Sequence, residues 1–390
     1  MIDPGRFVDH LGTLGVSLYT GVPDSLLKEF GRYVMATVPR DRHLIAANEG
    51  GAVAIALGHH LRTGEVPLVY LQNSGFGNLI NPLLSLADPD VYGVPMVVLV
   101  GWRGQPGVAD EPQHVKQGRV MGALLEGLDI PWAVLPDSPV DADACMATAV
   151  RVAGARSSPY VVLVEKGTFA EARLDDPELV PPSDGSSPGG DPRPRDEPLP
   201  SREQALITTV AAIGEGRVIV STTGMLSREL FEHRERSSSD GSADFLTVGG
   251  MGHASSIAFG IALTERDREV WCLDGDGALL MHLGGLAVIA DRAPTNLLHV
   301  VFNNGVHDSV GGQPTSIRAV DVPGVARALG YRHAERTSDL AELPDRIDAM
   351  RERGGPSLLE IRVRPGNRPG IGRPTRTPAE SKQAFMEAIQ

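Results

Sequence analysis

Short apolar runs alternate with helical patterns along most of this chain, and that alternation restricts it to parallel sheets covered by helices on both faces. In the first half, residues 66–71, 96–100 and 160–164 read as strands, with helical patterns over 50–61 and 78–87 between them. The second half repeats the theme: helix over 203–213, strand over 218–221, strand over 269–273, helix over 279–290 and strand over 297–302. A helix near 339–353 then precedes a strand over 357–363. Residues 171–201 are dense in Pro, Gly, Ser, Asp and Arg and have almost nothing to bury, so they read as a surface linker. The expected fold class is α/β, with two domains, residues 1–170 and 202–390. A faint echo between residues 48–61 and 250–263, each a small-residue entry into an Ala-rich helix, suggests either a duplication or the common habit of α/β helices.

Composition limits the function. At 390 residues the chain is too long for one ordinary domain, and its 42% apolar and 22% charged content excludes a mainly disordered protein. The longest apolar run, residues 94–100, is too short to span a bilayer, and the N-terminus lacks a signal pattern, so a cytoplasmic protein is expected. The net charge of 36 − 49 = −13 argues against nucleic acid and anionic membranes as partners. An anionic substrate would need a local cationic pocket. Cys145 and Cys272 give neither a disulfide framework nor zinc spacing, and both read as small core residues.

The strongest chemical pattern lies in the second half. A strand runs into Asp274-Gly275-Asp276-Gly277, and the next strand ends in Asn303-Asn304, with 25 residues between Gly277 and Asn303. That is the length of one crossover to a neighbouring parallel strand, so both ends should meet at the carboxyl edge of the sheet, where α/β proteins bind ligands. Asp276 and Asn304 offer hard oxygen donors for Mg²⁺ or Ca²⁺, with the Val306 carbonyl as a third. Gly275 and Gly277 allow close backbone approach, and a helix starting at Ala278 would point amides at a diphosphate.

This constellation resembles the thiamine-diphosphate signature of the pyruvate-decarboxylase-like enzymes. The resemblance implies two thiamine-diphosphate-binding-type domains, a C-terminal one for diphosphate and Mg²⁺ and an N-terminal one for the pyrimidine ring. The third, intermediate domain of larger members has no room here. The family's glutamate matches Glu49, in Asn48-Glu49-Gly50-Gly51-Ala52; by itself Glu49 is also an ordinary acidic first-turn residue capped by Asn48. Held among apolar residues, such a carboxyl shares a proton with a cofactor ring nitrogen. Other cofactor contacts implied by position are Thr222, Thr223, Gly224, Gly249, Met251 and His253, together with Gly275, Gly277 and Ala278. Met251, 25 residues before Asp276, matches the bulky residue that bends the cofactor, although a core methionine would look the same. Ala278 replaces a frequent hydroxyl residue, leaving backbone contact only.

Residues 21–25 (GVPDS), 70–75 (YLQNSG), 110–114 (DEPQH) and 304–315 further resemble the phosphonopyruvate decarboxylases and, more distantly, the sulfopyruvate decarboxylases. The implied reaction converts 3-phosphonopyruvate to phosphonoacetaldehyde and CO₂, within the biosynthesis of phosphonate natural products and antibiotics. Substrate-binding candidates are Ser25, Gln113, His114, Lys116 and Ser309, with Arg318 as a further cation and His114 and His307 as catalytic proton donors. Each of these loop groups also has a plain reading as a solvated side chain. The family arrangement implies a homo-oligomer, at least a dimer, with the active site at the subunit interface. The competing readings are a sulfopyruvate or other 2-oxo acid decarboxylase and, from another class, a non-catalytic diphosphate-binding protein.

Overall fold

The computed structural model describes residues 1–172, 199–310 and 313–390. Most of the expected linker, 171–201, lies outside the described residues. The chain forms two compact units, one on each side of that segment.

The first unit is a six-stranded parallel sheet: β1 Tyr19–Gly21, β2 His43–Ile45, β3 Leu68–Gln72, β4 Met96–Gly101, β5 Trp132–Val134 and β6 Pro159–Val164, in the order β2-β1-β3-β4-β6-β5. Every residue of β4 and β6 is buried, which explains why these two read as unbroken β-branched runs. The helix Glu49–Thr63 starts where the Asn48 side chain accepts from the Gly51 amide (2.8 Å) and stops at Gly64, whose φ of 73° lies in the left-handed region. Its small residues let it lie buried from Gly50 to Leu61.

The second unit has β7 Val218–Ser221, β8 Asp244–Leu246, β9 Val270–Gly275 and β10 Leu297–Asn303, then a two-stranded hairpin of β11 Val306–His307 and β12 Gln313–Pro314. β13 His333–Thr337 and β14 Ser357–Arg362 complete a second six-stranded parallel sheet, ordered β13-β14-β10-β9-β7-β8. Read from the opposite edge, this order matches that of the first sheet strand for strand: β8, β7, β9, β10, β14 and β13 stand for β2, β1, β3, β4, β6 and β5. The sequence echo falls at equivalent places, on the helices Glu49–Thr63 and Ala254–Ala262 that follow β2 and β8.

Two helices differ from expectation. Residues 279–290 are not one helix: Asp276–Met281 ends at His282 (φ −134°), and Gly285–Arg292 follows. Adjacent Gly284 and Gly285 are weak helix formers and sit at the break. The start is Asp276, not Ala278. The helix expected over 78–87 begins earlier, at Phe76, and widens to a π-turn over Leu83–Ala87 next to Pro82, which has no amide to donate. Cys272 is buried, whereas Cys145 is only half-buried against the first core, a correction to its reading as a core residue. No helix among the described residues is long and apolar enough to cross a membrane.

Candidate functional site

Parallel pairing of Phe302 with Gly275 brings the ends of β9 and β10 side by side. Asp276, the first residue of its helix, and Asn304, just past β10, are both buried there, at 3% and 9% exposure. The Asp276 carboxylate accepts from Thr315 Oγ1 (2.5 Å), and Asn304 Oδ1 accepts from the Val306 amide (3.0 Å). Burial pushes the Asp276 carboxyl above its ordinary range, against the pull of Thr315 and nearby amides. A divalent cation would compensate that cost.

Asp276, Asn304 and Val306 line a cleft with Gly275, Gly277 and Ala278. Thr222, Thr223, Gly224, Met251, His307 and Ser309 also line it, together with Arg202 and Asp308. A Cβ on Gly277 would stand 2.8 Å from His307 Cε1 and 3.3 Å from Met251 Cε, so the ends of both side chains would have to move out of the cleft. Thr222 Oγ1 is buried without a hydrogen-bond partner among the described residues, and Gly224 adopts a φ of 100° at the start of the helix Met225–Ser237. An orphaned buried hydroxyl, a backbone-lined cradle and a buried carboxylate beside an amide oxygen together fit a metal-bound diphosphate.

A buried ionic network anchors the loop after β10. Arg202 donates to both carboxylate oxygens of Glu229 (2.9 Å each) and to Asp308 (2.8 Å). Asp308 in turn accepts from Asn304 Nδ2 (2.7 Å) and from the Gly366 amide. Glu229 and Asp308 outweigh burial and raise the Arg202 pKa, so the guanidinium stays charged.

In the first unit Glu49 is half-buried and not enclosed by apolar residues as expected; among the described residues its Oε2 accepts from Asn78 Nδ2 (2.8 Å). Gly75 packs so closely that a Cβ would lie 2.0 Å from Glu49 Oε1. Gly75 ends the short turn Asn73–Gly75, and Asn73 at its other end holds Arg103: Asn73 Nδ2 donates to the Arg103 carbonyl (2.8 Å) and Asn73 Oδ1 accepts from its amide (3.1 Å). Arg103 Nη1 reaches Ser25 Oγ (2.9 Å), and Nε reaches Asp110 (2.7 Å). One three-residue turn therefore joins Glu49 to the candidate substrate segments.

The remaining candidates divide. His114 is 8% exposed on the first turn of the helix Pro112–Gly127, and its Nδ1 has no partner among the described residues. Lys116 is exposed on the same helix, and the Gln113 side chain lies outside the described structure. Gly249 and His253 do not line the cleft. His253 is instead 2% exposed, with its ring 4.3 Å from that of His282, and burial followed by His282 brings its pKa down to about 4. Arg318 does not line the cleft but an adjoining depression that shares Asn304 with it, beside Asp321, Arg336 and Glu360. Asn73, Asp110, Asp308 and Thr315 lie inside segments already singled out, but their roles as supports carry no sequence signal. Arg202 and Glu229 carry none either.

Comparison with known proteins agrees with this layout. Residues 6–123 match the N-terminal and residues 222–361 the C-terminal thiamine pyrophosphate binding domain of thiamine pyrophosphate enzymes. The whole chain is 39% identical to a phosphonopyruvate decarboxylase of Streptomyces viridochromogenes, over 95% of that protein. A sulfopyruvate decarboxylase of Methanosarcina acetivorans is 27% identical over 93% of this chain and 96% of its own length. A solved benzoylformate decarboxylase from Polynucleobacter necessarius shares the fold, with a TM-score of 0.71 at 14% identity over 95% of this chain and all of that one.

Proposed function

The chain belongs to the thiamine-diphosphate-dependent decarboxylases, among the relatives of phosphonopyruvate decarboxylase, and on that premise we propose that it decarboxylates 3-phosphonopyruvate to phosphonoacetaldehyde and CO₂. The observation that carries the reading is full-length 39% identity in a chain whose Asp276, Asn304 and Val306 converge at adjacent strand ends. The lower identity to the sulfopyruvate enzyme, 27%, supports the phosphonate over the sulfonate.

Asp276, Asn304 and Val306 would hold Mg²⁺, which neutralises a bound diphosphate. Thr222, Thr223, Gly224, Gly275, Gly277 and Ala278 cradle that diphosphate, while Gly249 and His253 support the wall that carries Met251. Thiamine diphosphate, when bound, would supply the nucleophile and the electron sink that a decarboxylation needs. Glu49 holds and moves a proton at the pyrimidine ring; Asn78 fixes Oε2 and leaves Oε1 for that exchange. His114 and His307 are placed to return a proton after CO₂ departs, and Ser25, Gln113, Lys116 and Ser309 orient the substrate. The domains act as residues 1–170 for the pyrimidine and 202–390 for the diphosphate, joined by the linker 171–201. The working protein is a cytoplasmic homo-oligomer with its active site at the subunit interface, in a biosynthetic route to phosphonate natural products such as antibiotics.

The test offers purified protein, Mg²⁺ and thiamine diphosphate separate phosphonopyruvate, sulfopyruvate and pyruvate and compares kcat/KM. Phosphonopyruvate is expected to lead. A higher value for sulfopyruvate or pyruvate overturns the substrate assignment, and no turnover of any 2-oxo acid overturns the enzyme reading.

A further inference from the structure

The loops after β1, β3 and β4 stand at the carboxyl edge of three adjacent strands of the first sheet, and Arg103 ties all three together. In the second sheet the equivalent loops, after β7, β9 and β10, form the metal and diphosphate cleft. Arg103, two residues past β4, thus occupies the topological place of Asn304 and its neighbours. The carboxyl edge of such sheets is where ligands bind.

The hydrogen-bond count shows what Arg103 still offers. A guanidinium carries five N–H donors. Asp110 takes one from Nε and one from Nη2, and Ser25 takes one from Nη1. Among the described residues one hydrogen remains on each terminal nitrogen, and these two nitrogens stand side by side on a rigid fork suited to two oxygens of a tetrahedral anion. Ser25 accepts from Arg103, so its own hydroxyl hydrogen remains for a further acceptor. Asp110 also accepts from the amides of Gly104 and Glu111, so it serves as a fixed mount for the fork.

The first turn of the helix Pro112–Gly127 closes on the same loop: a Cβ on Gly104 would lie 2.0 Å from the His114 carbonyl. That places the orphaned His114 ring on the turn against which the Arg103 loop packs. Of the acidic neighbours, Asp110 is bound along the guanidinium's inner edge, and Asp24 Oδ2 accepts from the Leu26 and Leu27 amides (3.1 and 3.2 Å); Asp24 Oδ1 is buried without a partner among the described residues, and burial raises the Asp24 pKa, which favours the neutral carboxyl beside Arg103. Glu111 is exposed to solvent, which screens it.

We infer that Arg103, with the Ser25 hydroxyl, is the cationic subsite that grips the distal phosphonate of the substrate. The inference rests on the proposed substrate class, a small dianionic 2-oxo acid. It assigns the local cation that a chain of net charge −13 must supply.

The test uses the full-length holoenzyme and the variants R103M and R103K, with phosphonopyruvate and pyruvate as substrates. For R103M the ratio of kcat/KM for phosphonopyruvate to that for pyruvate should fall about 100-fold, mostly through KM for the phosphonate. R103K, which keeps the charge but not the fork, should recover part of that ratio. An unchanged ratio, with both substrates impaired equally, would mean that Arg103 only braces the loops and overturns the inference. If R103M does not fold, S25A serves: it leaves the Arg103–Asp110 pair intact and should lower the same ratio about tenfold, and an unchanged ratio again overturns it. Should wild-type protein leave phosphonopyruvate untouched, the substrate assignment fails separately. The subsite is then judged by calorimetry with phosphonoacetate, where R103M should bind at least about tenfold more weakly than wild type and equal binding refutes it.

Discussion

Gly75→Ala isolates the position of Glu49 from its chemistry. The added Cβ would meet Glu49 Oε1 at 2.0 Å, Cδ at 2.4 Å and Cγ at 2.8 Å, where ordinary contact begins at 3.4 Å. The carboxylate must therefore retreat by 3.4 − 2.0 = 1.4 Å or swing to another rotamer, leaving Asn78. The backbone has no reason to object, because Gly75 sits at φ −83° and ψ −6°, which alanine adopts freely. Loss of glycine's freedom in the unfolded chain should stabilise the fold by about 0.4–1 kcal/mol. A misplacement of about 1 Å costs on the order of 100-fold in rate, within the 10²–10⁴ that a positioned proton-transfer group supplies. The expected result is an unchanged or slightly raised Tm with kcat for CO₂ release down about 100-fold at saturating Mg²⁺ and thiamine diphosphate. Adding Gly75→Ala to Glu49→Gln should then cost almost nothing further, because both act through one carboxylate. A kcat within about threefold of wild type, with normal Tm, would refute the claim that this carboxylate must stand where the structure puts it.

Arg202→Met leaves Glu229 and Asp308 buried without their cation and should cost about 3–5 kcal/mol of stability, read as a lower denaturation midpoint. The double variant R202M/E229M should regain much of that stability but not Mg²⁺-dependent cofactor affinity, since Asp308 and Asn304 remain unbraced; a normal R202M midpoint would discount the network. Asp276→Ala should abolish Mg²⁺-dependent binding of thiamine diphosphate, measured by calorimetry, and retained metal dependence would dismiss Asp276 as a ligand. His253 is kept neutral by burial, with a folded pKa of about 4 against an ordinary 6.5. Its contribution is present above pH 6.5 and is lost as pH falls toward 4, amounting to about 2 kcal/mol at pH 5. The fall in Tm between pH 7 and pH 5 should shrink in His253→Asn, and an equal fall would assign the acid sensitivity elsewhere.

The strands legible in the sequence are the largely buried inner ones, β3, β4, β6, β7, β9, β10 and β14, because burial on both faces demands an unbroken apolar run. The edge strands β2, β5 and β8 span three residues each, too short for any periodicity to register. The cleft around Asp276 and Asn304 is legible because its parts sit at strand ends separated by one crossover, a spacing that topology dictates. The supports were not. Arg202 reaches Asp308 across 106 positions, and Arg103 reaches Ser25 across 78, so only folding discloses either contact. Glu49 shows the limit of reading chemistry from residue type: its place at the helix start was readable, whereas its half-open setting beside Asn78 depends on the packing of another turn.

The matched strand orders of the two units turn these separate supports into one argument. In both, the loops after three equivalent strands build a ligand edge, and in both a buried or half-buried acid–arginine pair holds one loop in place: Asp110 with Arg103 in the first unit, Glu229 and Asp308 with Arg202 in the second. The difference lies in what stands at the edge beside the pair. In the second unit Arg202, 6% exposed, lines the cleft together with Asp308, and the loop it braces sets Asn304 and Val306 beside Asp276, oxygen donors of the kind a cation requires. In the first unit Asp110 holds the inner edge of the guanidinium, leaving one hydrogen on each terminal nitrogen, as an anion requires. Two edges of matched strand order would thus suit opposite charges, the proposed metal in one unit and the proposed acid group of the substrate in the other. Exchanging the roles would be self-defeating: Arg103→Glu should bring repulsion to the phosphonate end and lower the phosphonopyruvate-to-pyruvate ratio below that of R103M. An R103E ratio equal to that of R103M would show that the guanidinium's donors, and not the local field, discriminate between the two substrates.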